Sequence, residues 1–109
     1  MFKIFKTKEF DDNYNKLDNS EKKRADKIRD QLSKNGDTTG KPLSGLKFFR
    51  EKKFDWKRIY YLVYKEFNCI LVIAISSKKA QQATINQILF NLNNYKEYII
   101  NLLREKGFT

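Results

Sequence analysis

The hydrophobic positions change their spacing along the chain, and each change marks an element. Phe2-Lys3-Ile4-Phe5-Lys6 alternates as a short strand. Thr7 has the side chain of an N-cap, whose hydroxyl accepts from a free N–H one turn in. Phe10, Tyr14 and Leu17 then form one helical stripe, which Asp18-Asn19-Ser20 interrupts. Ser20 is placed to cap a second helix with the stripe Ala25, Ile28 and Leu32, while Lys22, Lys23, Arg24, Lys27 and Arg29 point elsewhere. Asn35-Gly36 ends it, glycine being the residue that most easily takes the left-handed position past a helix end. The two stripes with a tight turn between them predict a helical hairpin.

A cluster of Gly36, Gly40, Pro42 and Gly45 follows as a loop. The spacing then turns to alternation. Leu46 to Lys53, Trp56 to Glu66 and Asn68 to Ser76 read as three strands, with connections short enough for an antiparallel meander. From Gln81 the helical period returns through Ile85, Ile88, Leu89, Leu92, Tyr95, Ile99, Leu102 and Leu103, predicting one long amphipathic helix of about six turns, with Gly107 just beyond it. The order β-α-α-β-β-β-α predicts an α+β fold. The first strand joins the meander in a four-stranded sheet, and the hairpin covers one face.

A chain of 109 residues fits one domain over its whole length, 1–109. Its net charge of +10 is too large for internal pairing to absorb and favours a polyanionic partner. The longest apolar run, Cys69 to Ile75, is strand-sized, well short of the roughly 20 residues that span a membrane. The opening Met1-Phe2-Lys3-Ile4 lacks the apolar core of a signal peptide. Cys69 lies within the apolar run and reads as a buried small hydrophobe. With no histidine and one cysteine, the sequence excludes imidazole proton transfer, a Cys-His nucleophile pair, a zinc finger and a disulfide framework. The acids on the helices are spaced as solvated charges, and neither a metal set, a cofactor motif nor a phosphate-binding glycine loop is legible.

Candidate chemistry therefore rests on cations. In Trp56 to Tyr64, alternation places Arg58, Tyr60, Leu62 and Tyr64 on one face and Ile59, Tyr61 and Val63 on the other. The second set suits the core under the hairpin, which sends Arg58 to the opposite face. Arg50 and Lys52 share a face of the preceding strand. Together with Arg58 and the Lys78-Lys79 turn they are expected to converge on a concave surface for a phosphodiester backbone. Lys53 and Lys57 add contacts to that backbone, and Tyr60 and Tyr64 offer planes for unstacked bases. Packing under the last helix is the competing role for Tyr64 and Leu62.

These motifs, in this order, resemble the RelE/ParE toxin superfamily, with an archaeal-looking branch in the stretch Lys78 to Ile85. Gly40-Lys41-Pro42-Leu43-Ser44-Gly45-Leu46 is similar to its G-x-x-L-x-G-L segment. Trp56-Lys57-Arg58-Ile59-Tyr60-Tyr61 is similar to its arginine-bearing strand, and Ala74-Ile75-Ser76-Ser77-Lys78-Lys79 to its apolar strand and basic turn. The resemblance implies a cytoplasmic toxin that an antitoxin neutralises. It implies metal-independent cleavage of messenger RNA on the ribosome, in which the 2′-hydroxyl attacks the adjacent phosphate. Arg58 matches the strand arginine, the phosphate clamp. Lys79, with Lys78 beside it, stands where the family has an arginine, and lysine lacks its bidentate fork. Arg50 and Lys52 match a basic pair, one of which accepts or relays a proton. The family's tyrosine falls on Ile85, leaving base stacking to Tyr60 or Gln82. Two alternatives share the fold and charge: a ParE-like gyrase inhibitor, and a catalytically weak toxin-fold binding protein.

Overall fold

A computed structural model describes residues 1–107. Its elements are β1 (Lys3–Lys6), α1 (Lys8–Asn15), α2 (Asn19–Asn35), β2 (Lys41–Leu43), β3 (Leu46–Phe54), β4 (Lys57–Tyr64), β5 (Cys69–Ser77), α3 (Gln81–Phe90) and α4 (Leu92–Glu105), with a single 3₁₀ turn at Lys65–Phe67. The α+β architecture is as expected. The sheet has five strands in the order β1-β5-β4-β3-β2, with β1 parallel to β5 and the others antiparallel. The strand beyond the expected four is β2, formed where the glycine loop pairs Lys41 with Glu51 and Pro42 with Arg50. Pro42 can sit there because β2 is an edge strand, where no neighbour needs its missing N–H.

The sheet separates two cores. Ile59, Tyr61, Val63, Ile70 and Val72 pack against Phe10, Leu17, Ala25, Ile28 and Leu32 of the hairpin. Phe49, Tyr60, Leu62, Leu71 and Ile73 pack against Ile85, Ile88, Ile99 and Leu103 of the C-terminal helices. Cys69 is fully buried in this second core, as its apolar run implied. No helix among the described residues is long and apolar enough to cross a membrane.

Local chemistry departs from expectation at three points. The cap of α2 is Asp18, not Ser20: the Asp18 carboxylate accepts from the Glu21 N–H at 2.7 Å, and Glu21 accepts from the Asp18 N–H at 3.1 Å. This reciprocal pair satisfies two orphan donors, which a serine two residues later cannot do. Gly36 is right-handed, at φ −59. It is needed for proximity instead, since a Cβ there would lie 2.0 Å from Ile70 Cδ1. The expected long C-terminal helix is two helices, broken at Asn91, whose side chain donates to the Gln87 carbonyl at 2.8 Å. Asparagine's local bonding to backbone competes with helix continuation. The break lets α3 lay Ile85 and Ile88, and α4 lay Ile99 and Leu103, onto the same core.

Thr7 ties this framework to the end of β5. Its hydroxyl accepts from the Phe10 N–H at 3.0 Å, the expected N-cap bond, and donates to the Ile73 carbonyl at 2.6 Å. Ile73 lies at a bulge: Tyr60 pairs with Ala74 but Tyr61 with Val72. An extra residue here leaves a carbonyl outside the ladder, and the Thr7 hydroxyl takes it up.

Candidate nucleic-acid site

The site forms where β3, β4 and β5 end nearest the start of α3. Strand register decides which side chains meet there, because residues directly opposite in an antiparallel pair share a face. Arg58 pairs with Lys53 on one side and Ser76 on the other, and Tyr60 pairs with Glu51 and Ala74. Arg58, Glu51, Lys53 and Ser76 therefore lie on the face of the C-terminal helices, as the alternation of β4 required for Arg58.

The expected partners of Arg58 on β3 are on the other face. Arg50 pairs with Tyr61 and Lys52 with Ile59, both members of the hairpin core. Arg50 is also fully engaged. Its guanidinium donates to the carbonyls of Thr39 at 3.0 Å, Lys47 at 3.1 Å and Gly40 at 3.2 Å. It thus holds the loop that leads into β2, with the Tyr61 hydroxyl donating to the Gly36 and Thr39 carbonyls alongside. Burial holds Tyr61 in its neutral form, pushing its pKa up to about 12. The expected convergence of Arg50 and Lys52 with Arg58 is thereby corrected.

The side chains that do meet Arg58 include a carboxylate that the sequence reading passed over. Glu51 is 2% exposed. It accepts from the Gln81 amide at 3.0 and 3.2 Å, faces Lys41 Nζ at 3.4 Å and stands 4.0 Å from Arg58 Nε. Side chains of β2, β4 and α3 thus converge on one carboxylate of β3. A buried anion is tolerated only with such partners. The signal that locates it in the sequence is parity: with Asp55-Trp56 as a tight turn, Phe54 faces Lys57, so Glu51 must face Tyr60.

Arg58 itself is 6% exposed, and its Nε and Nη1 have no hydrogen-bond partner among the described residues. A guanidinium carries five N–H donors in a planar fork suited to a phosphate. Leaving buried donors unmatched costs about 1–3 kcal/mol each, so the arrangement favours an arriving acceptor.

The remaining candidates divide by exposure. Lys78 and Lys79 are exposed in the turn between Ser77 and Gln81, directly ahead of the residue that grips Glu51. Lys53 is exposed on the Arg58 face. Lys57 is on the opposite face, 3.6 Å from Glu21. Gln82 is exposed and donates within its own helix to Asn86 at 2.9 Å. Tyr60 and Tyr64 are core residues, at 0% and 6% exposure, so neither presents a ring face for stacking. The Tyr60 hydroxyl shares a 2.8 Å hydrogen bond with Ser76 at the site's floor, and burial raises its pKa above the usual tyrosine value.

No protein-family model matches the chain, and a search of curated proteins finds no match. Solved structures do match. The isolated E. coli RelE toxin is 14% identical with a TM-score of 0.64, over 81% of this chain and 99% of that one. A chain of the intact E. coli RelBE toxin–antitoxin complex is 15% identical with a TM-score of 0.64, over 71% and 96%. A chain of the Mycobacterium tuberculosis RelBE2 toxin–antitoxin complex is 15% identical with a TM-score of 0.62, over 71% and 91%. At such identities it is the path of the backbone that is shared, and it is shared over nearly the whole of each toxin-sized chain: this protein has the fold of the RelE toxins.

Proposed function

We propose that the chain is a single-domain toxin of a type II toxin–antitoxin system, an endoribonuclease that cuts messenger RNA on cytoplasmic ribosomes and is neutralised by a cognate antitoxin. The fold it shares with RelE and with chains of RelBE complexes supports the reading. The observation that carries it is Arg58, buried with its Nε and Nη1 unpaired among the described residues and with the exposed Lys53 opposite it on the same face. In the proposed reaction the substrate's 2′-hydroxyl attacks the adjacent phosphorus and the bond to the 5′-oxygen breaks, leaving a 2′,3′-cyclic phosphate and a 5′-hydroxyl. Arg58 balances the charge that builds on the phosphoryl oxygens. Lys53, Lys78 and Lys79 hold the flanking backbone, Glu51 is the group beside Arg58 able to accept the nucleophile's proton, and a lysine ammonium of the same set gives a proton to the departing 5′-oxygen.

One observation favours a second reading, a toxin-fold protein that binds RNA or a partner without cutting. The Glu51 carboxylate stands 4.0 Å from Arg58 Nε and already supplies it with negative charge. Inducible expression with primer extension on cellular messages separates the two. Cleavage predicts new 5′ ends with the wild-type chain, and their loss by about 10²–10³-fold in rate in Arg58→Ala at an unchanged circular dichroism spectrum. An intact message pool under wild-type expression, or equal cutting by folded Arg58→Ala, overturns the nuclease reading.

A further inference from the structure

A carboxylate-free cavity lies on the far side of the same strand ends. A cavity of about 170 Å³ between α1 and the end of β5 is walled by Asn13, Lys16, Lys57, Ser76 and Ser77, with Leu17 and Ile75 also in its lining. Four other cavities, of about 330 to 510 Å³, each carry at least one carboxylate in the wall: Asp37 and Glu66, Glu66 alone, Asp26 and Asp30, or Asp18, Glu21 and Asp55. This one has none.

The polar groups in its wall are donors or can act as donors. Asn13 Oδ1 accepts from the Ile75 N–H at 3.0 Å. A backbone N–H can only donate, so this bond fixes the amide orientation and leaves the Asn13 NH₂ as the free end. Lys16 and Lys57 supply ammonium groups, and Ser77, opposite Lys57, supplies a hydroxyl that accepts from the Ala80 N–H at 3.4 Å and keeps its own proton to donate; the Ser76 hydroxyl is turned to Tyr60 on the other face. The Glu21 carboxylate, 3.6 Å from Lys57 Nζ, neutralises part of the Lys57 charge. Its other oxygen is spent on the Asp18 N–H.

Position links this cavity to the Arg58 site. Lys57 and Arg58 are consecutive on β4, facing opposite sides of the sheet, and they pair with Ser77 and Ser76 respectively. The cavity and the Arg58 site are thus back to back across one strand end, and the exposed Lys78-Lys79 turn follows directly on Ser77. We infer that the Asn13–Lys16–Lys57–Ser77 pocket holds a second phosphate of the same single-stranded RNA whose scissile phosphate Arg58 takes, the strand passing over the end of β5. This rests on the RNA-cleaving reading for its ligand. It fixes a path for the backbone and requires that more than one nucleotide be engaged.

The test is binding of a labelled 2′-O-methyl RNA oligonucleotide, which lacks the attacking hydroxyl, followed by anisotropy across a salt series. Asn13→Asp keeps the acceptor for Ile75 and places a negative charge in the pocket. It and Lys16→Ala should each weaken binding about tenfold at an unchanged melting temperature. Each should also reduce the slope of log affinity against log salt by about 0.7, one phosphate on a single strand. Lys34→Ala, which removes the same charge at the other end of α2, should change neither by as much. If Asn13→Asp and Lys16→Ala behave like Lys34→Ala, or the wild-type chain does not bind the oligonucleotide, the subsite is refuted. If the pocket takes inorganic phosphate, and Asn13→Asp abolishes that while sparing RNA affinity, it is a free-anion site and the proposal fails. Cleavage is not read in this assay, so a chain that binds through the pocket but never cuts RNA would sink the nuclease reading alone.

Discussion

Glu51→Gln changes one side-chain atom, an oxygen for an NH₂, and tests whether the buried carboxylate organises the site. In the native chain Glu51 and Arg58 are 2% and 8% exposed as side chains and stand 4.0 Å apart. At that distance the gross attraction is about 4 kcal/mol for an effective dielectric constant near 20. Lys41 adds little, because its ammonium is 69% exposed and screened. With glutamine at this position, the Gln81 amide keeps one acceptor, but Arg58 becomes a buried cation with two unpaired nitrogens, Nε and Nη1, and its carboxylate neighbour gone. Breaking one side of a buried pair costs about 3–5 kcal/mol, and the retained Gln81 contact places this change at the low end, about 3 kcal/mol. For a chain of this size that is a fall in melting temperature of roughly 12 to 24 °C. Arg58→Met should cost less, because Glu51 keeps Gln81 and Lys41. The double mutant should then be more stable than the sum of the singles by about 1–3 kcal/mol. Thermal melts of the four proteins give the coupling directly. Additivity within about 0.5 kcal/mol would refute the claim that the two charges hold one another.

Two further outcomes follow from the fold. Gly36→Ala puts a methyl 2.0 Å from Ile70 Cδ1 and 2.6 Å from the Leu32 carbonyl, so it should destabilise by about 1–3 kcal/mol in a denaturant titration, although alanine is the better helix former. Raising the pH should destabilise the chain through Tyr61, whose pKa rises from 10.0 to about 12 on folding because burial disfavours the phenolate. The raised value means that the folded state keeps a proton that the unfolded state loses. The Tyr61 contribution is therefore full below pH 10 and is lost between 10 and about 12 at about 1.4 kcal/mol per pH unit, a part of the alkaline slope that Tyr61→Phe should remove in alkaline melts.

The sequence made the elements legible where one periodicity dominated. The alternation of β4 assigned Arg58 and Ile59 to their observed faces, and Thr7 read correctly as a cap because its signal is local. The site was less legible because it depends on the relation between strands. In β3 the neighbours Phe48 and Phe49 are both aromatic, yet one is 40% exposed and the other fully buried, so apolar pattern alone does not fix the parity of Arg50, Glu51 and Lys52. A shift of one residue exchanges the two faces of a strand. The reading that grouped Arg50 and Lys52 with Arg58 differs from the observed arrangement by one such step. The five-stranded sheet and the break at Asn91 were hidden for a related reason. A three-residue edge strand and a single side-chain bond to Gln87 leave almost no periodic trace.

That step has a chemical consequence. Had Arg50 and Lys52 faced Arg58, the site would have gathered cations whose mutual repulsion must be offset in the free protein. The observed parity places Glu51 there instead, and sends Arg50 to a structural task holding three loop carbonyls. One buried carboxylate lets a chain of net charge +10 keep a buried, partly unsatisfied guanidinium in a fixed position on rigid strands. The exposed cations Lys53, Lys78 and Lys79 stay in solvent, where self-repulsion costs little. A polyanion arriving at this face meets an orienting donor that is already in place and a set of lysines free to adjust to its backbone. Preorganised charge of the first kind is what can be more effective toward a transition state than toward a ground state. The second kind gives affinity without demanding a sequence.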